Sequence, residues 1–437
     1  MKINGWGRYP KIDAQIDELV DRASLSAILK QSDGDGQLIA RGAGRSYGDS
    51  SLANRVVSSR FLDNFIEFDT ENGLLRCASG ATLEQVLEIC LPKGWLLPVL
   101  PGTRFVSVGG AIASDVHGKN HHRDGCFSNF VQSITLMLAS GEIVICDRNN
   151  KRQLFEATCG GMGLTGIILD AKLTLEKISS AWIEQHTVAA ANLDEIFDHF
   201  EEHSGSKYSV AWIDCLAQGA RRGRSVLFTG EQAQYGGLEK RQRSNIAAPP
   251  AFPAALINRF SMRAFNRLYY TMQTLGRSPD LQYYENYFFP LDWIHGWNRL
   301  YGGGGFLQYQ FVVPQDSAKE VIDTVLKEIS SQGKGSFLSV LKKMGSENSN
   351  LLSFPLEGYT LALDFKIEKA LFPLLEKLDQ IVVDNGGRLY LTKDARMSKE
   401  IFTRSYPRVD EFKKVRAEID PQGLFGSLQS KRLGLSD

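Results

Sequence analysis

Apolar and polar residues alternate along some stretches of this chain and recur at helical spacing along others, and the change of period divides the sequence. "FIEFDTENGLLRCASG" (65–80) alternates on both sides of a polar turn and predicts a hairpin. "ATLEQVLEICLPKG" (81–94) carries its apolar residues at helical spacing. Thr82 and Gln85 are spaced as a capping box there, and Gly94 is placed to stop the helix. "SITLMLASGEIVIC" (133–146) predicts a second hairpin around Ser140 and Gly141. Residues 1–180 therefore read as an α+β unit rich in antiparallel pairing. From about residue 180 to 385, aromatic strands such as "FLQYQFVVP" alternate with helical runs such as "SAKEVIDTVLKEISSQG", the composition of an antiparallel sheet backed by helices.

Three glycine-rich stretches interrupt the first unit: "ARGAGRSYGDSS" (40–51), "PGTRFVSVGGAIASDVHGKNHHRDG" (101–125) and "CGGMGLTGII" (159–168). Any one of them reads equally well as a set of tight turns. Three in order point to one extended ligand whose phosphates are met by backbone N–H dipoles. A nicotinamide fingerprint needs G-x-G-x-x-G opening a helix. Here Gly42, Gly44 and Gly48 are spaced G-x-G-x-x-x-G, and the following "DSSLANRVVSS" is a poor helix, so that fold is disfavoured.

Composition narrows the rest. With 437 residues there is room for two or three domains, and 50 basic against 50 acidic residues give no overall field for nucleic acid. The six cysteines are scattered without a C-x-x-C pair, as in free thiols of a reducing compartment. The N-terminal "MKINGWGRYPKID" lacks an apolar signal region, and no window approaches the ~18 apolar residues of a membrane span. The expectation is an intracellular protein. Charge matters locally, however: residues 240–279 hold Lys240, Arg241, Arg243, Arg259, Arg263, Arg267 and Arg277 with no acidic residue, interleaved with apolar side chains. This stretch reads either as a flexible insertion or as a segment that lies on an anionic membrane or over a lipid-phosphate substrate.

"RGAGRSYGDS", "PGTRFVSVGGAIASDVHGKNHH", "GGMGLTGI", "GGRLYLTKDARM", "YPRVDEF" and "VRAEIDP" together resemble the vanillyl-alcohol-oxidase-type flavoproteins, and the resemblance runs through nearly the whole chain. It implies a two-domain α+β FAD-binding fold. Residues 1–180 and a returning C-terminal segment, 386–437, would form the FAD domain. Residues 181–385 would form an inserted antiparallel-sheet substrate domain, with a basic flexible insertion at about 236–280.

The resemblance also implies site residues. It places the FAD pyrophosphate on Gly42, Ala43, Gly44, Arg45, Ser46, Tyr47 and Gly48, with Ala40, Arg41 and Asp49 as flanking cofactor-binding residues. Further cofactor contacts fall to Gly102, to Ser107, Val108, Gly109 and Gly110, to Ser114, Asp115, Val116 and His117, and to Ile167 and Tyr390. Relatives that tether FAD covalently use a His two residues before the tyrosine of the first loop, or a Cys shortly before the V-G-G of the second. Arg45 and Thr103 stand there, which implies non-covalent FAD. Lys393, His117 and Tyr390 are the implied catalytic groups. Lys393 would serve either as a base or as a charge beside the flavin, the bland reading being a surface lysine. Gln308 and Gln310, two apart on one strand, share a face and could read sugar hydroxyls, or could be the polar face of an amphipathic strand. Lys342 is a candidate for a substrate phosphate, with a solvated charge pair as the alternative. Ala362 stands where the resembled oxidases carry a cysteine, and their aromatic site position appears here as Phe288. His117, His121 and His122 lie within six residues but lack the further ligands a closed metal site needs.

The activity implied is FAD-dependent oxidation of the 2′ secondary hydroxyl of a polyprenylphosphoryl pentofuranose to the keto sugar, with a partner short-chain reductase completing an epimerisation. An alditol or sugar-lactone oxidase acting on a soluble polyol is one alternative, and a non-catalytic flavin-binding scaffold is another.

Overall fold

A computed structural model describes residues 1–436 apart from 22–23, 26–27, 30–36, 242–245, 250–257 and 277. After a short antiparallel pair, Lys2–Asn4 with Lys11–Asp13, comes a small parallel sheet of β1 (Gln15–Glu18), β2 (Leu38–Arg41) and β3 (Arg55–Ser58), in the order β1-β3-β2. The first glycine loop leaves the C-terminal end of β2. The stretch after it turns into β3 instead of a helix, because "RVVS" is β-branched and fully buried.

The first hairpin forms as β4 (Phe65–Asp69) and β5 (Leu74–Ala78). Helix α1 (Leu83–Cys90) follows, with both halves of the Thr82–Gln85 capping box present and Gly94 in the left-handed region, φ 78°. The second glycine-rich stretch carries the short helix α2 (Val108–Ala113), capped by Ser107. The second hairpin is β6 (Val131–Met137) and β7 (Ile143–Cys146), with Gly141 at φ 84° in its turn. The third glycine-rich stretch leads into β8 (Ile167–Thr174), which completes an antiparallel five-stranded sheet of order β7-β6-β8-β5-β4.

A second, eight-stranded sheet is antiparallel throughout. It contains β9 (Trp182–Ala190), β10 (Tyr208–Ile213) and β11 (Ser225–Gln232), then, after helix α3 (Arg259–Thr274), β12 (Asp280–Tyr283) and β13 (Phe306–Pro314). Helix α4 (Gln315–Ser331) leads to β14 (Ser339–Met344) and β15 (Gly358–Lys366), and helix α5 (Leu371–Asp384) to β16 (Arg388–Leu389). The order is β12-β9-β11-β10-β14-β15-β13-β16. Helix α3 lies inside the stretch expected to be a flexible insertion. Arg243 and Arg277 of that stretch fall outside the described residues.

Strand alternation divides the functions of this sheet. Tyr309, Phe311 and Val313 of β13 join Leu341, Leu361 and Leu363 in one core with Val321, Ile322 and Val325 of α4 and Leu374, Leu375 and Leu378 of α5. The intervening residues face the other way. Register sets Gln310 opposite Ala362 and Ala362 opposite Val340, with Gln308 beside Asp364 and Lys342 beside Thr360. Slipping one of the three strands by a single residue would turn that strand's cavity-facing side chains into the helix-packed core.

The C-terminal segment closes back on the first loop. Phe425 bridges Leu38, and the Tyr47 N–H donates to the Thr392 carbonyl at 3.0 Å. Arg432 joins Asp49 (2.8 Å) to Asp394 (2.9 Å), both carboxylates being nearly inaccessible to solvent. Removing the partly buried guanidinium leaves the Asp49 carboxylate without its cation and Asp394 with only the Arg396 charge and two backbone N–H donors, at a cost of up to roughly 3–5 kcal/mol. Arg432→Ala is therefore expected to lower stability by that order in urea unfolding. A loss below about 1 kcal/mol would show that the bridge contributes no more than an exposed pair.

Candidate active site

The three glycine-rich stretches line one cavity of about 590 Å³, whose opposite wall is the free face of the eight-stranded sheet. That volume lies in the range of cofactor and drug-sized ligand sites. Ala40, Gly42, Ala43, Gly44, Arg45, Ser46 and Tyr47 line it from the first loop, and Gly102, Ser107, Gly109, Gly110, Ser114, Val116 and His117 from the second. Ile167, Tyr390, Lys393, Gln308, Gln310, Lys342, Phe288 and Ala362 also line it.

Five expected residues do not. Arg41 donates to the carbonyls of Asn4 (2.7 Å) and Ser51 (3.3 Å), and so clamps the loop from behind. Gly48 backs onto the Lys393 turn so closely that a Cβ would lie 1.8 Å from the Asp394 carbonyl oxygen, and Asp49 is committed to Arg432. Val108 points into the apolar core. Asp115, fully buried, accepts hydrogen bonds from the Ser128 N–H, the Asn348 and Asn350 amides and the Ser353 hydroxyl. All five hold the cradle without facing into it.

The cradle carries unspent donors. The backbone N–H groups of Ala43, Gly44, Arg45 and Ser46 donate no hydrogen bond among the described residues, and Gly44 sits in the left-handed region at φ 64°. Backbone donors in a folded protein are nearly always paired, so a run of four beside a cavity is a seat for an anion. Arg45 Nε, Ser79 Oγ and His117 Nδ1 are also buried at this cavity without a partner. The Arg45 guanidinium lies 4.4 Å from the Trp6 ring and 5.2 Å from that of Phe105. This donor set fits the phosphates of a dinucleotide flavin.

At the other end the site is crowded with buried side chains. The Tyr390 ring stacks on Phe354 (4.4 Å between centroids) and lies 5.3 Å from His117, while its hydroxyl donates to the Ser114 carbonyl at 3.2 Å. His117 Nε2 is 3.3 Å from the Gln310 amide nitrogen, which also donates to Thr360 Oγ1 at 3.2 Å. Burial, then the charges of Lys342, His121 and Lys393, push the His117 pKa well below its ordinary value, so the ring is neutral. His121 accepts from the Gly345 N–H through Nδ1, and the His122 ring nitrogen meets the Ser206 carbonyl. Among the described residues no cluster of three or more His, Cys, Asp or Glu is placed to hold a metal ion.

Lys393 Nζ lies 3.9 Å from the centre of the Tyr47 ring. Burial pulls its pKa down to about 7, with Lys342 adding to the fall and Asp364 opposing it. Asp364, buried and held by the Gln308 amide at 2.7 Å, is raised to about 7 by burial. Burial lowers Lys342 to about 8. A further lysine, Lys119, lines the cavity and is lowered to about 7 by burial and by Lys342; it donates to the Tyr287 carbonyl and lies over that ring. In the sequence Lys119 sits inside "HGKNHH", where the histidines on either side raise the metal question and nothing local marks the lysine. Phe288 packs edge-on against Tyr208 (4.9 Å) and Tyr287 (5.1 Å) at the cavity wall.

A backbone anion cradle running into a lysine-lined pocket is the architecture of a dinucleotide flavoprotein. Comparison with known proteins agrees. A family profile described as an FAD binding domain matches residues 16–147. Decaprenylphosphoryl-β-D-ribose oxidase of Mycolicibacterium smegmatis is 35% identical to the chain, covering 99% of this chain and 97% of that protein. A Streptomyces coelicolor protein described only by its place in the mprA 5′ region is 31% identical over 81% of this chain and all of its own length, and human Δ(24)-sterol reductase is 30% identical over 26% of this chain and 22% of its own. The chain belongs to the vanillyl-alcohol-oxidase-type FAD flavoproteins. It binds FAD and is an FAD-dependent oxidoreductase.

Arg45 and Thr103 stand at the two places where relatives carry a tethering His or Cys, and the six cysteines are all buried. Acid precipitation is expected to leave the yellow flavin in the supernatant. Colour retained in the washed pellet would show a covalent link.

Proposed function

We propose that the chain oxidises the 2′ secondary hydroxyl of a polyprenylphosphoryl pentofuranose to the keto sugar, as the oxidising half of an epimerisation that a separate short-chain reductase completes. In this reading residues 1–180 with 386–437 bind FAD, residues 181–385 hold the substrate, and the enzyme works in peripheral contact with a membrane. Six buried thiols without a disulfide suit the reducing, cytoplasmic side of that membrane. The name of the Mycolicibacterium relative supports the substrate class. The observation that carries it is the pair Lys119 and Lys342: two ammonium groups at one cavity, both with lowered pKa and neither with a carboxylate partner among the described residues. Uncompensated charge in a partly apolar cavity suits an anionic ligand such as a phosphodiester. A neutral polyol brings no charge to match it.

FAD, when bound, supplies the acceptor for the hydride that leaves the carbinol carbon. The hydroxyl proton must go to a group of this chain, and Lys393 is the candidate. Its pKa near 7 leaves much of it unprotonated at neutral pH, ready to accept a proton. Held protonated, it would instead place a positive charge beside the reacting centre. Gln310, pinned through its amide nitrogen between His117 and Thr360, can turn its carbonyl oxygen to a sugar hydroxyl, whereas Gln308 is engaged with Asp364 and the Tyr47 hydroxyl. Tyr390, stacked on Phe354, forms a fixed wall.

The deciding experiment is anaerobic reduction of the purified holoenzyme with lipid-phosphate pentoses and with free alditols. Bleaching by the lipid-linked sugars is expected, and bleaching by polyols alone would overturn the substrate assignment. Lys393→Ala is expected to retain FAD, which is held over three loops, and to slow flavin reduction at least ~100-fold. Reduction at the parent rate would remove Lys393 from the chemistry. The pH dependence separates its two roles. Because its folded pKa lies below the usual lysine value, Lys393 loses its proton as pH rises through about 7. A rate that needs a base climbs through that window, and one that needs the charge falls. Lys393→Arg keeps charge but accepts no proton, so it should rescue only the second case.

A further inference from the structure

Helix α3 presents two unlike faces. Its N-terminus is capped by Asn258, and its inner side is fixed to the sheet. The buried Asn266 amide donates to Asp214 at 2.7 Å, and the Arg224 guanidinium holds the other oxygen of that carboxylate at 2.5 Å. Tyr269 packs on Trp212 with ring centres 4.8 Å apart. Tyr269 and Gln273, one helical turn apart on that inner side, line the cavity.

Among the described residues nothing covers the apolar side chains of the outer side. Phe260, Leu268, Met272 and Leu275 are 65%, 59%, 61% and 81% exposed. At about 100° per residue these four fall within an arc of roughly 120°, opposite Met262, Asn266, Tyr269 and Gln273. Arg263 and Arg267 flank the arc, exposed and without an ion-pair partner among the described residues, and no acidic residue occurs from 259 to 274. By contrast Lys240 is paired with Glu88 and Arg241 lies over Trp182, so those two cations of the basic stretch are engaged with the body of the protein. Apolar side chains on one arc, bordered by unpaired arginines in a chain of zero net charge, complement an anionic lipid surface: the arc enters the acyl boundary and the guanidiniums meet the headgroups.

We infer that the outer face of α3 is a docking face for an anionic lipid surface, and that it sets the cavity wall formed by the same helix against the membrane. A substrate carried on a lipid then has a route from bilayer to cavity along one helix. The second clause rests on the lipid-linked substrate proposed above, whereas the docking itself does not.

The test uses the FAD-loaded protein with sedimenting vesicles of phosphatidylcholine, with and without phosphatidylglycerol, at low and physiological salt. Binding is expected to require the anionic lipid and to weaken with salt. Two variants change exposed residues only: Leu268→Asp/Met272→Asp, and Arg263→Gln/Arg267→Gln. Each should cut vesicle binding roughly tenfold or more, while flavin content stays at the parent level. Both should be reduced at the parent rate by a water-soluble short-chain substrate, and slowly by the same sugar embedded in vesicles. Parent-like vesicle binding by both variants overturns the inference. So does a concentration-dependent dimer that the Asp variant dissociates in a protein that ignores vesicles, since a second copy would then cover the face. Vesicle binding that depends on α3 in a protein reduced by no lipid-phosphate pentose keeps the docking face and removes the substrate reading.

Discussion

The arginine that joins Asp49 to Asp394 ties the first glycine loop to the turn that bears Lys393. Arg432 comes from the far end of the chain and locks the first glycine loop against the turn that carries Lys393. Two further contacts make the lock rigid: the Tyr47 N–H on the Thr392 carbonyl, and the backbone of Gly48 against the Asp394 carbonyl, an approach no side chain would permit. The consequence is geometric. Tyr47 and Lys393 are held with the ammonium over the ring at 3.9 Å, so the group proposed to handle the proton and the loop that seats the cofactor cannot move independently. Precision of this kind is what orientation-dependent chemistry requires.

Electrostatics at the cavity follows from where the charges are, since the chain as a whole has none to spare. Lys119, Lys342 and Lys393 share one cavity, and each is displaced from its ordinary pKa first by burial. Such groups carry a folding cost. With folded values near 7 to 8 against 10.5 unfolded, the cost is absent at high pH and grows as pH falls through that interval, because the unfolded chain binds the extra protons. An anionic ligand reverses the balance: it favours the protonated lysines, and its binding takes up protons near neutrality. The neutral His117 between them limits how many like charges the pocket must hold.

Much of this was legible in the sequence wherever the signal is local. The two hairpins, helix α1 with its capping box, and the strand bearing Gln308 and Gln310 all form where periodicity set them. Three glycine-rich stretches meeting at one cavity follow from the same reasoning. What the sequence hid depends on partners distant along the chain. Nothing near Asp49 or Asp115 announces that these carboxylates serve Arg432 and a ring of amides and hydroxyls, so both read as ligands of the cofactor. Lys119 was masked by neighbouring histidines. Helix α3 was masked by its composition, because prolines before it and arginines within it suggest irregular chain, while the Asp214 bond that docks it lies on another strand.

The departures at Ala362 and Phe288 acquire meaning from the register of the sheet. Ala362 stands between Val340 and Gln310 in one row across three strands, on the face that lines the cavity. A small residue at the centre of that row leaves the amide of Gln310 and the ammonium of Lys342 accessible from the same side, where a larger one would separate them. Phe288, packed edge-on against two tyrosines, gives the opposite wall an apolar surface with no hydroxyl to satisfy. Lys393 and His117, the groups proposed to carry the chemistry, rest on the turn held by Arg432 and on the second glycine-rich stretch, and neither position touches those supports. Gln310 is different: it pairs directly with Ala362, so a change at 362 acts on the setting of that amide as well as on the shape of what is admitted, while a change at 288 acts on the apolar wall alone.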